Sequence, residues 1–172
     1  AEQAMEQGFT VWGDYGLGVY NSQSLKELKR LGFAGCTASF ELKLAQIRDL
    51  SKAVPMELIA YGRLPLMITE NCIVYNHAGQ HVCGDGLRLV DRKGARFPVV
   101  KAWGCRNEIL NAKTLFLADK AADYARLGLW GARLMFTTES PEDRVRILRR
   151  YQGQRGWQPG DYTRGLYYRD VE

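Results

Sequence analysis

No run of eighteen or more apolar residues occurs in the 172-residue chain, so no membrane-spanning helix and no membrane partner are expected. The first residues, Ala1 to Gln7, lack the positively charged start and apolar stretch of a secretory signal. A cytoplasmic location is the expectation. An initiator Met is also missing, and the polar opening reads as the end of a helix, which points to a piece of something longer. Histidine is scarce, with two residues, and neither His-Glu-x-x-His nor Gly-x-Ser-x-Gly occurs. The usual signatures of a zinc peptidase and of a serine hydrolase are therefore lacking. Low-complexity tracts and short repeats are absent as well.

Cysteine is present but sparse: four residues, unevenly spaced, with no secretion signal beside them. That favours reduced thiols or metal ligands over two disulfides. A content of 46% hydrophobic and 25% charged residues is that of a globular protein, and the length suits one domain. The net charge of +5 is local in origin. Between Arg144 and Arg169 stand seven arginines (Arg144, Arg146, Arg149, Arg150, Arg155, Arg164, Arg169) against one acid, Asp161. Such a cluster suits phosphate, as in RNA, or makes a solvated helix face and tail.

The first half alternates short apolar runs with helical periods, the pattern of βα units around a parallel sheet. Phe9 to Trp12 reads as a strand. Ser24 and Glu27 form a capping box for a helix with Leu25, Leu28 and Leu31 on one face, and Gly32 stops it. Phe33 to Ala38 and Met56 to Tyr61 read as further strands, separated by the stripe Leu44, Ile47, Leu50 and the break at Pro55. Near the end, the apolar run in Leu129 to Thr137 precedes a helix begun by Ser140 and Pro141, with Val145, Leu148 and Tyr151 as its buried stripe.

Between these lies a different segment, Arg63 to Asp119, holding three of the four cysteines and both histidines. Asp91-Arg92-Lys93-Gly94 is a turn between Leu87 to Val90 and Phe97 to Val100, so a β-hairpin is expected there. The expected architecture is α/β: the carboxy-terminal βα units of a TIM-type barrel with an inserted hairpin. Its parts are residues 1–62 as βα units, 63–119 as the insertion, and 120–172 as a last βα unit with a basic tail. The loops after the strands of a barrel carry its chemistry. Too few units are visible for a whole barrel. Either an amino-terminal part of the same protein or a homo-oligomer mate is expected to cover the sheet edges.

Glu57-Leu58-Ile59-Ala60-Tyr61-Gly62-Arg63-Leu64-Pro65-Leu66-Met67, followed by Glu70-Asn71-Cys72, resembles the central motif of the collagenase-like peptidase family. That pattern has a glutamate, a glycine five residues later, then a cysteine and further cysteines. The resemblance continues through Leu89 to Gly94, Phe97-Pro98-Val99, Cys105-Arg106-Asn107-Glu108 and Asn111, and returns at Tyr162 to Arg169. It implies the end of a catalytic barrel. Some members carry an annotation as proteases. Others resemble oxygen-independent hydroxylases acting on RNA bases or a quinone precursor, and several bind a 4Fe-4S cluster through four cysteines. By position Cys72 matches one ligand, and Cys83 and Cys105 match later ones. Pro65 stands where many members have the first cysteine.

The candidate metal ligands are thus Cys72, Cys83 and Cys105, with His77 or His81 as a fourth and His81 preferred. An iron-sulfur cluster is the expected cofactor and zinc the alternative. The same residues read structurally as small buried thiols and exposed loop histidines. Cys36, inside an apolar strand, reads as a core thiol. Arg63, Glu70 and Asn71 follow a strand and are the candidate catalytic residues. Glu57, at the strand's start, reads as half of an ion pair. Arg106, Arg164 and Arg169 are candidate substrate contacts, and Trp157, Tyr167 and Tyr168 could stack on bases or fill a core. The expected function is hydroxylation of an RNA base or aromatic substrate. Peptide hydrolysis, with a Cys72–histidine pair, and non-catalytic RNA binding are the alternatives.

Overall fold

A computed structural model describes residues 1–80 and 86–169. Cys83 and His81 fall outside the described residues. The chain divides into two units. One comprises Ala1–Gly62, Phe116–Gln158 and the residues from Thr163 onward; the other comprises Arg63–Leu115 and Pro159–Tyr162.

The first unit begins with helix α1 (Glu2–Glu6) and strand β1 (Trp12–Gly13). Only the end of the expected Phe9 to Trp12 strand forms one, and Phe9 is exposed. Helix α2 (Ser22–Arg30) is capped by Asn21, whose side chain accepts from the Ser24 N–H at 2.9 Å. The expected Ser24–Glu27 box is not the cap; Glu27 instead pairs with Arg30, at 2.8 Å from its Nε. Leu25 and Leu28 are buried, whereas Leu31 lies past the helix end and is exposed.

Strand β2 (Gly35–Thr37), helix α3 (Leu44–Asp49) and strand β3 (Met56–Gly62) follow. Strands β1, β2 and β3 pair in parallel, with Gly13 opposite Cys36 and Thr37 opposite Glu57. Met56, Leu58, Ile59 and Ala60 are completely buried. Both faces of β3 are therefore covered, as a central parallel strand requires.

The second unit is an antiparallel sheet with one short helix. Its elements are β4 (Pro65–Thr69), α4 (Ile73–Ala78), β5 (Arg88–Val90), β6 (Arg96–Lys101) and β7 (Asn107–Leu110). The order is β4-β7-β6-β5. Strands β5 and β6 join at the Asp91 turn, where the carboxylate accepts from the N–H groups of Lys93 and Ala95, both at 2.8 Å. An aspartate closing its own turn in this way sets the hairpin locally.

Strand β8 (Thr114–Phe116) and helix α5 (Ala121–Ala125) lead to β9 (Gly131–Met135), helix α6 (Pro141–Tyr151) and β10 (Tyr162–Thr163). Strand β9 lies parallel to β3, with a register shift between Ile59 and Tyr61. Two tyrosine hydroxyls bond to carbonyls at this shift: Tyr167 donates to the Ile59 oxygen at 2.9 Å, and Tyr151 donates at 2.6 Å to the Ala60 oxygen, which also accepts from the Leu117 N–H at 3.1 Å. Tyr151 also accepts from the Leu117 N–H at 3.0 Å. Burial pushes both phenols well above the ordinary range, so they remain donors.

Ser140 caps α6 and Pro141 opens it, as the sequence predicts. The buried face is different: Ile147 is completely buried while Val145 and Leu148 are exposed. The resulting fold is mixed α/β with a parallel sheet ordered β1-β2-β3-β8-β10 and with β9 also on β3. Among the described residues, no pairing joins β1 to β10 to close that path. No helix among the described residues is long and apolar enough to cross a membrane.

Candidate functional site

In the second unit the geometry of the thiols follows from one pair of strands. Strand β4 runs against β7 with Ile68 opposite Glu108 and Thr69 opposite Asn107. The Glu70 carboxylate meets Arg106 at 2.9 Å, carrying that register one step further. Cys72 follows the end of β4 and Cys105 precedes the start of β7. Both thiols therefore leave the sheet at the same end. Cys72 is buried and caps α4, its sulfur accepting from the Tyr75 N–H at 3.4 Å. Asn107, also buried, accepts from the Ile73 N–H at 2.7 Å and so ties the first turn of α4 to β7. Cys105 is half-buried and follows Gly104 in a tight turn, with φ of +63°. A left-handed backbone at a residue with a Cβ costs on the order of 1 kcal/mol or more, and such strain concentrates at functional positions.

His77 is exposed on the last turn of α4. It stands five positions after Cys72, the N-cap of that helix, which is about 7.5 Å along the axis and about 140° around it. The helix alone does not bring that pair together. Among the described residues, no group of three or more His, Cys, Asp or Glu side chains is placed to hold a metal ion.

The other residues singled out from sequence are engaged locally. Arg63 donates to the backbone oxygens of Asn111, at 2.9 Å, and Ala112. The backbone oxygen of Asn71 accepts from the Thr69 hydroxyl at 2.7 Å. Arg164 grips Asp119 with both arms of its fork, at 2.6 and 2.7 Å, and donates to the Phe116 oxygen. The Arg169 side of the chain is exposed, its N–H donating to the Leu166 oxygen at 3.1 Å.

A second polar constellation lies in the first unit and was not read as a site from the sequence. Asp14 follows β1 and Thr37 ends β2, positions where parallel sheets present functional groups. Arg133, from β9, reaches Asp14 at 2.5 Å, the Thr37 hydroxyl at 3.2 Å and Glu57 at 3.7 Å. The Thr37 hydroxyl donates a hydrogen bond to the Glu57 carboxylate at 2.8 Å. The chain Arg133–Thr37–Glu57 links a cation to a carboxylate through a fully buried hydroxyl. Two carboxylates then share one guanidinium. The available signal was a lone arginine inside the apolar run Leu129 to Thr137.

Cys36 lies beside this cluster, fully buried. Burial first, and then the charge of Glu57, pushes its thiol up to about 11. The raised value means that the folded chain holds this proton longer than the unfolded chain does. The resulting stability is complete below the ordinary thiol value and is lost as pH rises from about 9 towards 11. At pH 8 a thiol at about 11 is about one part in a thousand thiolate, against roughly a tenth for one at the ordinary value of about 9. Iodoacetamide at pH 8 is therefore expected to alkylate Cys36 about a hundredfold more slowly in folded than in urea-unfolded protein. Peptide mass spectrometry reads the difference, and equal rates would contradict the buried placement.

No protein-family model, curated protein or solved structure matches the chain.

Proposed function

We propose that this chain is part of an enzyme related to the collagenase-like peptidases, and that it hydroxylates an RNA base or another aromatic substrate without molecular oxygen. The observation that carries the reading is the β4–β7 register, extended by the Glu70–Arg106 pair, which directs Cys72 and Cys105 to one end of the sheet. In this reading the parallel strands belong to a TIM-type barrel, completed by an amino-terminal part of the same protein or by a homo-oligomer mate.

Cys72 and Cys105 supply two thiolates, and Cys83 and His81 the remaining ligands. The donor set fits a soft metal centre: reduced sulfurs, one buried and already accepting an N–H bond. A bound 4Fe-4S cluster would supply electron transfer at potentials set by burial and by hydrogen bonds to its sulfurs. Zinc on the same thiols is the alternative occupant. Asn107 fixes the thiol-bearing turn against β7, and the Tyr75 N–H orients the Cys72 sulfur. Arg63 secures the start of β4 through its backbone contacts, while Glu70, Asn71 and Arg106 line the same sheet end as the thiols. A reducing cytoplasm suits thiols that are not joined in disulfides. Peptide hydrolysis gains less support, because Cys72 and His77 occupy different faces and ends of α4.

Anaerobic reconstitution of the full chain with iron and sulfide tests the proposal. The expected product is brown, with about four iron and four sulfide per chain. Iron below about one per chain after reconstitution would overturn it.

A further inference from the structure

The aromatic ring of Phe116, at the end of β8, carries two guanidinium groups. The Arg164 carbon lies 5.9 Å from the ring centroid and that of Arg150, from α6, lies 6.0 Å from it. Trp157 meets the same ring edge-on at 6.1 Å. The two cations are not equivalent. Arg164 is answered by Asp119 and by the Phe116 carbonyl. Arg150 is half-buried, and among the described residues no carboxylate or carbonyl accepts from it. Its Nε is buried without a partner.

An uncompensated cation drawn out of water is costly, and the cost is offset when an anion supplies its acceptors. The guanidinium fork matches two oxygens of a phosphate, and an aromatic wall strengthens the interaction by excluding water. We infer that Arg150 anchors a phosphate-binding site bounded by Phe116 and Trp157. The ligand class is a phosphate oxyanion, either a free phosphate or the backbone of a single-stranded RNA. Arg146, one turn before Arg150, is held by Asp143 at 3.5 Å, which leaves Arg150 as the uncommitted cation against the ring. The inference does not depend on the cysteines.

Calorimetric titration of the full chain with inorganic phosphate, and separately with an oligouridylate, tests it. Wild-type protein is expected to bind at least one of them. Arg150→Gln should weaken that binding at least tenfold, and for the RNA should reduce the salt slope by about one. Loss confined to inorganic phosphate identifies the free anion as the ligand. Loss for the oligouridylate identifies the backbone. Arg150→Lys keeps the charge and the stem but not the fork, so it should bind several-fold more weakly while melting as the wild type does. Binding by Arg150→Lys equal to wild type, or no binding of either ligand by wild type, overturns the site. Equal affinity of a folded Arg150→Gln overturns it as well.

Discussion

Replacing Gly62 with alanine is expected to destabilise the first unit by roughly 3 kcal/mol or more. Gly62 ends β3 with φ of +132°, a backbone conformation nearly closed to residues with a side chain. A Cβ there would stand 2.2 Å from the carbonyl oxygen of Met135, its register partner on β9. That oxygen belongs to backbone in a paired strand, so it cannot turn aside as a side chain would. The conformational cost and the overlap add, and their sum is a large share of the 5–15 kcal/mol typical of a domain. Gly128→Ala provides the comparison: its φ is +67°, but nothing lies within 4 Å of the added carbon. It should cost only about 1–2 kcal/mol. Urea midpoints of the two variants measure the difference. A Gly62→Ala midpoint as high as that of Gly128→Ala would contradict the packing of β3 on β9.

Gly62 is also the residue at which local reading of the chain meets its limit. Patterns that depend on neighbours in sequence were legible. The Asp91 carboxylate closes its own turn, Ser140 and Pro141 start α6, and the apolar block from Met56 becomes the central strand. Errors arose where two local answers compete. Asn21 and Ser24 can each cap α2, and the earlier residue does. On α6 the stripes Val145–Leu148 and Arg144–Ile147 both end near Tyr151. The sheet takes the one centred on Ile147, leaving Val145 and Leu148 exposed, and Tyr151 reaches the Ala60 carbonyl.

Features set by register were not legible. Glu57 stands at the beginning of its strand, yet the stagger of parallel neighbours brings it level with the end of β2, at Thr37. Arg133 joins them across β9, far away in sequence. The sequence already groups Cys72 and Cys105 as candidate ligands through the motif resemblance, and the β4–β7 pairing supplies the register by which both emerge at one end of the sheet.

The other large effect concerns these two cysteines. Serine at position 72 is nearly isosteric, and its oxygen can still accept the Tyr75 N–H and cap α4. Serine at position 105 keeps the same backbone demand at its φ of +63°. Neither change removes much beyond a thiolate, so lost metal reports lost ligation and not a collapsed helix end. Because ligation and ordering of such a segment are linked, the reconstituted variants should also lose the added stability that metal gives the wild type, while the metal-free forms melt alike.

Cys36→Ala is the control, since Cys36 lies in the core of the first unit. The decisive measurement is iron and acid-labile sulfide per folded chain after parallel anaerobic reconstitution of wild type, Cys72→Ser, Cys105→Ser and Cys36→Ala. The account predicts about four iron in wild type and Cys36→Ala, and less than about one in the two serine variants. Undiminished iron in Cys72→Ser and Cys105→Ser would contradict it.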